Sequence, residues 1–146
     1  MKKLLFILLL TIPFVGFGQN VKFENELIKK GKMYYFNNSP FNGIRVYYWE
    51  RDEFSEKGNS QMTIKDGLPN GLYQSWISNG RLEFMGDYIN GLNRNGVWKT
   101  WYKNGQIKSI RIYQGLIGEI ETVTTNGLIS ETCWDKNGIE IDCKEL

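Results

Sequence analysis

The dipeptide Asn-Gly occurs eight times, at 42-43, 70-71, 79-80, 90-91, 95-96, 104-105, 126-127 and 137-138, so half of the sixteen glycines follow an asparagine. Gly adopts positive φ freely and Asn tolerates it better than most residues, which makes the pair a hairpin signal, of type I′ where strands flank it. Between two of these pairs, Val97 to Tyr102 is rich in β-branched and aromatic residues, the composition of a strand. A chain punctuated in this way is set up for hairpins, and no long amphipathic helical pattern competes with them.

The punctuation repeats in register. Setting "GLYQSWISNGRLEFMGDYING" from Gly71 against "GVWKTWYKNGQIKSIRIYQG" from Gly96 places Trp76 over Trp101, Gly80 over Gly105, Leu82 over Ile107 and Tyr88 over Tyr113. An earlier copy starts at Gly43, with Tyr48 at the Trp position and a lengthened tip, "ERDEFSEKGN". A later copy starts at Gly118, with Val123 at the Trp position and Asn126-Gly127 at its turn. Starts at 43, 71, 96 and 118 are 28, 25 and 22 residues apart, in the range of repeat architectures. A lone hairpin is barely stable, so consecutive units are expected to stack. The fold class expected is all-β, an elongated antiparallel sheet of stacked hairpins. An entry hairpin over 24–41, turning near Lys30-Gly31, and an exit hairpin over 128–143, turning near Asn137-Gly138, would cap the array.

These two central units resemble the MORN-repeat variant family: a Gly, a Trp-rich strand, an Asn-Gly turn and a second strand ending near Tyr and Gly. The leading "GKMYYFNNSPFNGIRVYY" and the closing "CWDKNGIEIDC" resemble segments that flank such units in exported bacterial proteins. The resemblance runs from about Leu27 to Cys143. It implies an all-β hairpin array without chemistry of its own. Many members are described as YwqK-like antitoxins, so the resemblance implies an antitoxin-like or envelope-associated role.

Residues 1–18 read as a signal peptide. Lys2 and Lys3 precede an apolar run from Leu4 to Phe17, and Gly16 and Gly18 suit a cleavage site before Gln19. The run is short of the ~20 residues a spanning helix needs, so no integral membrane segment is expected after cleavage. The expected mature domain, 19–146, is exported to the periplasm or beyond. The whole chain has 18 basic and 16 acidic residues; without Lys2 and Lys3 the mature part is neutral, with no electrostatic footprint for nucleic acid. There is no histidine, which removes Ser-His-Asp and Cys-His systems and His-containing zinc sites. The two cysteines, Cys133 and Cys143, lean toward a disulfide in an exported chain. A turn at Asn137-Gly138 would set Cys133 opposite residue 142 or 143.

Candidate chemistry is sparse. Glu50, Asp52, Glu53 and Glu56 cluster in a hairpin tip, where charge normally serves solvation, and neither "ERDEF" nor "DKNG" has the oxygen spacing of a calcium loop. No catalytic centre, metal or cofactor is expected. The remaining signal is aromatic. Alternation puts Leu72, Gln74, Trp76 and Val97, Lys99, Trp101 on one face, and Tyr73, Ser75, Ile77 and Trp98, Thr100, Tyr102 on the other. Tyr73, Trp98 and Tyr102, at matching positions of adjacent units, are the candidate binding residues. The function expected is non-catalytic protein binding or scaffolding: Trp and Tyr dominate binding hot spots, and a protein or no partner is favoured because sugar-binding aromatic repeats show a stricter motif than these diverged copies. A polysaccharide of the cell envelope is the alternative, and strand addition at an open sheet edge is a third mode.

Overall fold

A computed structural model describes residues 20–51, 56–115 and 127–146. The strands are β1 (Val21–Phe23), β2 (Ile28–Lys30), β3 (Met33–Phe36), β4 (Ser39–Pro40), β5 (Gly43–Arg51), β6 (Glu56–Lys65), β7 (Leu68–Ile77), β8 (Leu82–Ile89), β9 (Asn93–Trp101), β10 (Ile107–Tyr113), β11 (Leu128–Trp134) and β12 (Glu140–Ile141). Nine form one open sheet in the order β1-β5-β6-β7-β8-β9-β10-β11-β12, and β2-β3-β4 form a small second sheet. The all-β array of consecutive hairpins is therefore what the chain builds. The large sheet is mixed rather than wholly antiparallel, because β1 lies parallel to β5.

Three Asn-Gly hairpins share one loop, which is not the type I′ loop expected. Gly80 N–H donates to the Ile77 carbonyl and Ile77 N–H to Arg81; Gly105 does the same to Tyr102, with Tyr102 returning to Gln106; Gly138 and Asp135 repeat it with Ile139. Only the glycines take positive φ here, at 81°, 90° and 84°. This is a type I turn closed by a left-handed Gly, the usual three-residue hairpin loop. Asn serves it by a side-chain bond: Asn79 Oδ1 accepts from Arg81 N–H (2.9 Å) and Asn104 Oδ1 from Gln106 N–H (3.0 Å). Two-residue turns with both residues at positive φ do occur, at Asn37-Asn38 and Asp66-Gly67.

The tips stack. Arg81 Nη1 donates to the Lys103 carbonyl (2.6 Å), and Asn104 Nδ2 to the Lys136 carbonyl (2.9 Å). The exit-hairpin tip is thus the one aligned with the two central tips. Of the unit starting at Gly118, residues 118–126 with Val123 lie outside the described residues, and the strand that follows Gly127 is β11, which pairs directly with β10.

The entry segment forms more than one hairpin. Residues 24–26 make a 3₁₀ turn, and β2, β3 and β4 fold back as a three-stranded patch. A cycle of main-chain bonds clamps it to the β6–β7 turn: Tyr34 N–H to Gly67, Gly67 N–H to Phe41, and Phe41 N–H to Tyr34, at 2.8–2.9 Å. Beneath the patch lies the core of Tyr34, Phe41, Met62 and Ile64, flanked by Leu27, Phe36, Tyr73 and Tyr88. The lengthened tip after Gly43 is shorter than the sequence suggested. β5 and β6 pair continuously to Arg51↔Glu56, and the Trp49 ring lies over Gly58, where a Cβ would come within 2.7 Å of Trp49 Cε2. Asp52 and Glu53 lie outside the described residues.

The disulfide joins Cys133 to Cys143, with Cα atoms 5.2 Å apart. Direct register opposition does not hold. Cys133 pairs with Ile141, and Cys143 opens the closing 3₁₀ turn, Cys143–Glu145, whose N-cap Asp142 accepts from Lys144 N–H. The turn swings the second sulfur back over the strand.

Candidate functional site

Register separates the two faces of the large sheet. On one face Arg45, Met62 and Tyr73 are cross-strand neighbours, and Ser75 leads through Phe84, Thr100 and Ser109 to Cys133. This is the face of Tyr73 and Trp98, and the small sheet covers its first half.

The structure places Tyr73 and Trp98 together here, ring centroids 5.9 Å apart and nearly parallel. Tyr88 meets Trp98 edge-on at 4.9 Å, and Tyr113 at 6.5 Å. Trp98 fits because β8 carries Gly86 opposite it, where a Cβ would come within 2.6 Å of Trp98 Cγ. The indole Nε1 donates to the Asp87 carbonyl (3.0 Å), and the Arg94 guanidinium sits 4.8 Å over the ring while donating to Tyr113 Oη (2.9 Å). Trp98 is left 4% exposed, so it offers little surface to a ligand. Burial, and then the neighbouring Tyr73, raise the Tyr88 hydroxyl above its ordinary pKa. Tyr102 stands apart at the hairpin tip, donating to the Trp134 carbonyl (2.9 Å) with Lys108 5.5 Å over its ring.

Beyond the cluster, a cleft of about 220 Å³ is bounded by Phe84, Thr100, Tyr102, Lys108 and Arg111. Two of its polar groups are bonded to neighbours behind it: the Thr100 and Ser109 hydroxyls bond at 2.8 Å, and Arg111 donates to Ser109 Oγ (3.2 Å) and to Glu131 (2.9 Å). Glu131 lies near both cysteine sulfurs, but sulfurs committed to a disulfide offer no thiolate, which leaves one carboxylate. Glu50 at the acidic tip is engaged by Lys57 (2.9 Å).

The opposite face, that of Trp76 and Trp101, carries no second layer among the described residues. One row crosses seven strands, Val46↔Gln61↔Gln74↔Met85↔Lys99↔Ile110↔Thr132, and a second runs Tyr48↔Asn59↔Trp76. Tyr48, Leu72, Val97 and Ile112 stand exposed on it. Trp76, Trp101 and Trp134 are half-buried, each one residue before an aligned hairpin loop. Sequence reasoning placed Val123 third in that series and passed over Trp134. The signal was available, since Trp-x-x-Asn-Gly recurs at Trp76, Trp101 and Trp134.

The class of protein so defined is an open all-β hairpin array, with one face half covered by a small sheet and the other bare among the described residues. No protein-family model, no curated protein and no solved structure matches the chain.

Proposed function

We propose that this chain is an exported, non-catalytic binding module that docks another protein against the bare face of its large sheet. The observation that carries this reading is the apolar content of that face: Tyr48, Leu72, Val97 and Ile112 exposed, with Trp76, Trp101 and Trp134 among them. Exposed rings and aliphatic side chains gathered on one face fit an interaction surface, and Trp and Tyr supply most binding energy per residue. Amide and charged groups interleave with the rings, as they do in interfaces that form and part. The disulfide is consistent with an oxidising compartment. The resemblance to the MORN-repeat variant family supports an antitoxin-like role, a secreted toxin being the partner it implies.

The test combines export with docking. Material from the native host should begin at Gln19 by intact mass. A photo-crosslinking residue at Val97 should give one discrete protein adduct, lost in Trp101→Ala. An adduct formed from Arg111 but not from position 97 would move docking to the other face. A polysaccharide is the second reading, favoured by the Asn59 and Gln74 side chains that neighbour Trp76. Sedimentation with insoluble envelope polysaccharide, abolished in Trp76→Ala, would establish it instead.

A further inference from the structure

We infer that the outer edge of β5 beyond β1 is a second binding site, which receives an extended peptide segment of another protein as an added strand. β1 covers only the start of β5, pairing Val21↔Ile44, Lys22↔Arg45 and Phe23↔Val46, while β5 continues to Arg51. Ile44 N–H donates outward to the Asn20 carbonyl (2.8 Å). With the two-residue period of a strand, the main-chain groups of Tyr48 and Glu50 point the same way. Past Val46, no strand among the described residues lies outside β5.

The chain is held off this edge. After Phe23 it enters the Glu24–Glu26 turn, fixed by Phe23 N–H donating to Glu26 Oε2 (2.8 Å). The Glu24 carboxylate pairs with the buried Arg45 guanidinium, which lies 5.6 Å from both the Tyr34 and the Tyr47 ring. β1 is thereby stopped where an incoming strand would begin. At that point opens a cleft of about 590 Å³, lined by Phe23, Glu24, Asn25, Val46, Tyr47 and Tyr48. Tyr48 is 66% exposed and stacks on Phe23 at 5.9 Å.

Proteins ordinarily blunt free edges with Lys, Pro or a bulge. Here β5 pairs through nine residues without a register shift, and residues 47–50 carry only one charge, Glu50. The occupant is set by continuity with β1, whose Val21 and Phe23 lie on the Tyr48 side. An incoming strand that continues this pattern places β-branched side chains beside Phe23 and Tyr48, and its backbone supplies the bonds to Tyr48 and Glu50. The site lies on the edge and adjoins the bare face, with which it shares Tyr48, while the outward main-chain groups of Tyr48 and Glu50 belong to the edge alone.

The probe is the peptide acetyl-Lys-Val-Thr-Val-Thr-Val-Lys-amide, and the readout is residue-resolved amide exchange by NMR. At saturating peptide, exchange at Tyr48 and Glu50 should slow by about tenfold or more, the effect of closing one main-chain hydrogen bond. The same peptide N-methylated at alternate residues should bind at least about tenfold more weakly. Glu50→Pro should weaken binding likewise while melting near wild type, because its N–H faces outward and proline is tolerated on an edge. Tyr48→Ala, which removes a cleft wall and no main-chain donor, should also weaken it, and Trp101→Ala should not. Unchanged exchange at Tyr48 and Glu50, or equal binding of the N-methylated peptide, overturns the inference. So does protection of these amides without peptide in protein that runs as a dimer, which would assign the edge to a second copy.

Discussion

Replacing Trp98 with alanine should unfold this protein well before it affects any partner. The ring keeps 4% of its surface and contacts three tyrosines and the backbone at Gly86. Truncating a buried Trp costs about 3 to 5 kcal/mol, of which the aromatic pairs and the Arg94 contact are parts. The lost bond to the Asp87 carbonyl adds little, because that residue is exposed and water replaces the indole. A domain of this kind has only about 5 to 15 kcal/mol in total. At roughly 3 to 4 °C per kcal/mol for a chain of this length, Tm should fall by about 10 to 20 °C. Urea unfolding should show a lower midpoint with an unchanged slope. Trp101→Ala, on the bare face and half-buried, is the control, with an expected loss of about 1 to 2 kcal/mol. A loss under about 1 kcal/mol for Trp98→Ala, or one equal to the control, would refute the assignment of this cluster as core.

Two further outcomes follow from the exit hairpin. Unfolded, unreduced protein should show no free thiol toward Ellman reagent, and Cys133→Ser with Cys143→Ser should cost ~2 to 3 kcal/mol by loop-closure entropy; two titratable thiols would remove the bridge. Asp135 accepts N–H bonds from Ile139 (2.9 Å) and Asn137 (2.8 Å), and the Ile139 bond leads in holding its pKa below the ordinary value. A lowered carboxyl contributes stability that is whole above its unfolded pKa, about 3.9, and is lost as pH falls through the lowered value. Wild type should therefore lose more stability between pH 6 and 2.5 than Asp135→Asn, measured as the shift in urea midpoint; equal shifts would contradict the tip geometry.

Several features were legible from local chemistry alone. Asn-Gly pairs between β-branched and aromatic runs mark the hairpin turns at 79-80, 90-91, 104-105 and 137-138, whereas those at 70-71 and 95-96 fall inside β7 and β9, so the dipeptide signals hairpins without fixing each turn. Two-residue alternation then sorts Tyr73 and Trp98 from Trp76 and Trp101 with no knowledge of packing. What alternation leaves open is which face is buried, since both carry large rings. Tertiary structure decided that through contacts distant in sequence: the Tyr34–Gly67–Phe41 main-chain cycle brings the small sheet onto the face of Tyr73 and Trp98, and Gly86 makes room for Trp98. The loop type was likewise beyond the dipeptide, because Asn-Gly suits both a two-residue and a three-residue hairpin and cross-strand register selects between them. The position of Cys143 depended on a closing turn no pairing rule contains. The parallel β1 and the bare edge past it arise from Arg45 and Glu24, 21 residues apart, a pairing that exists only once the chain has folded back on itself.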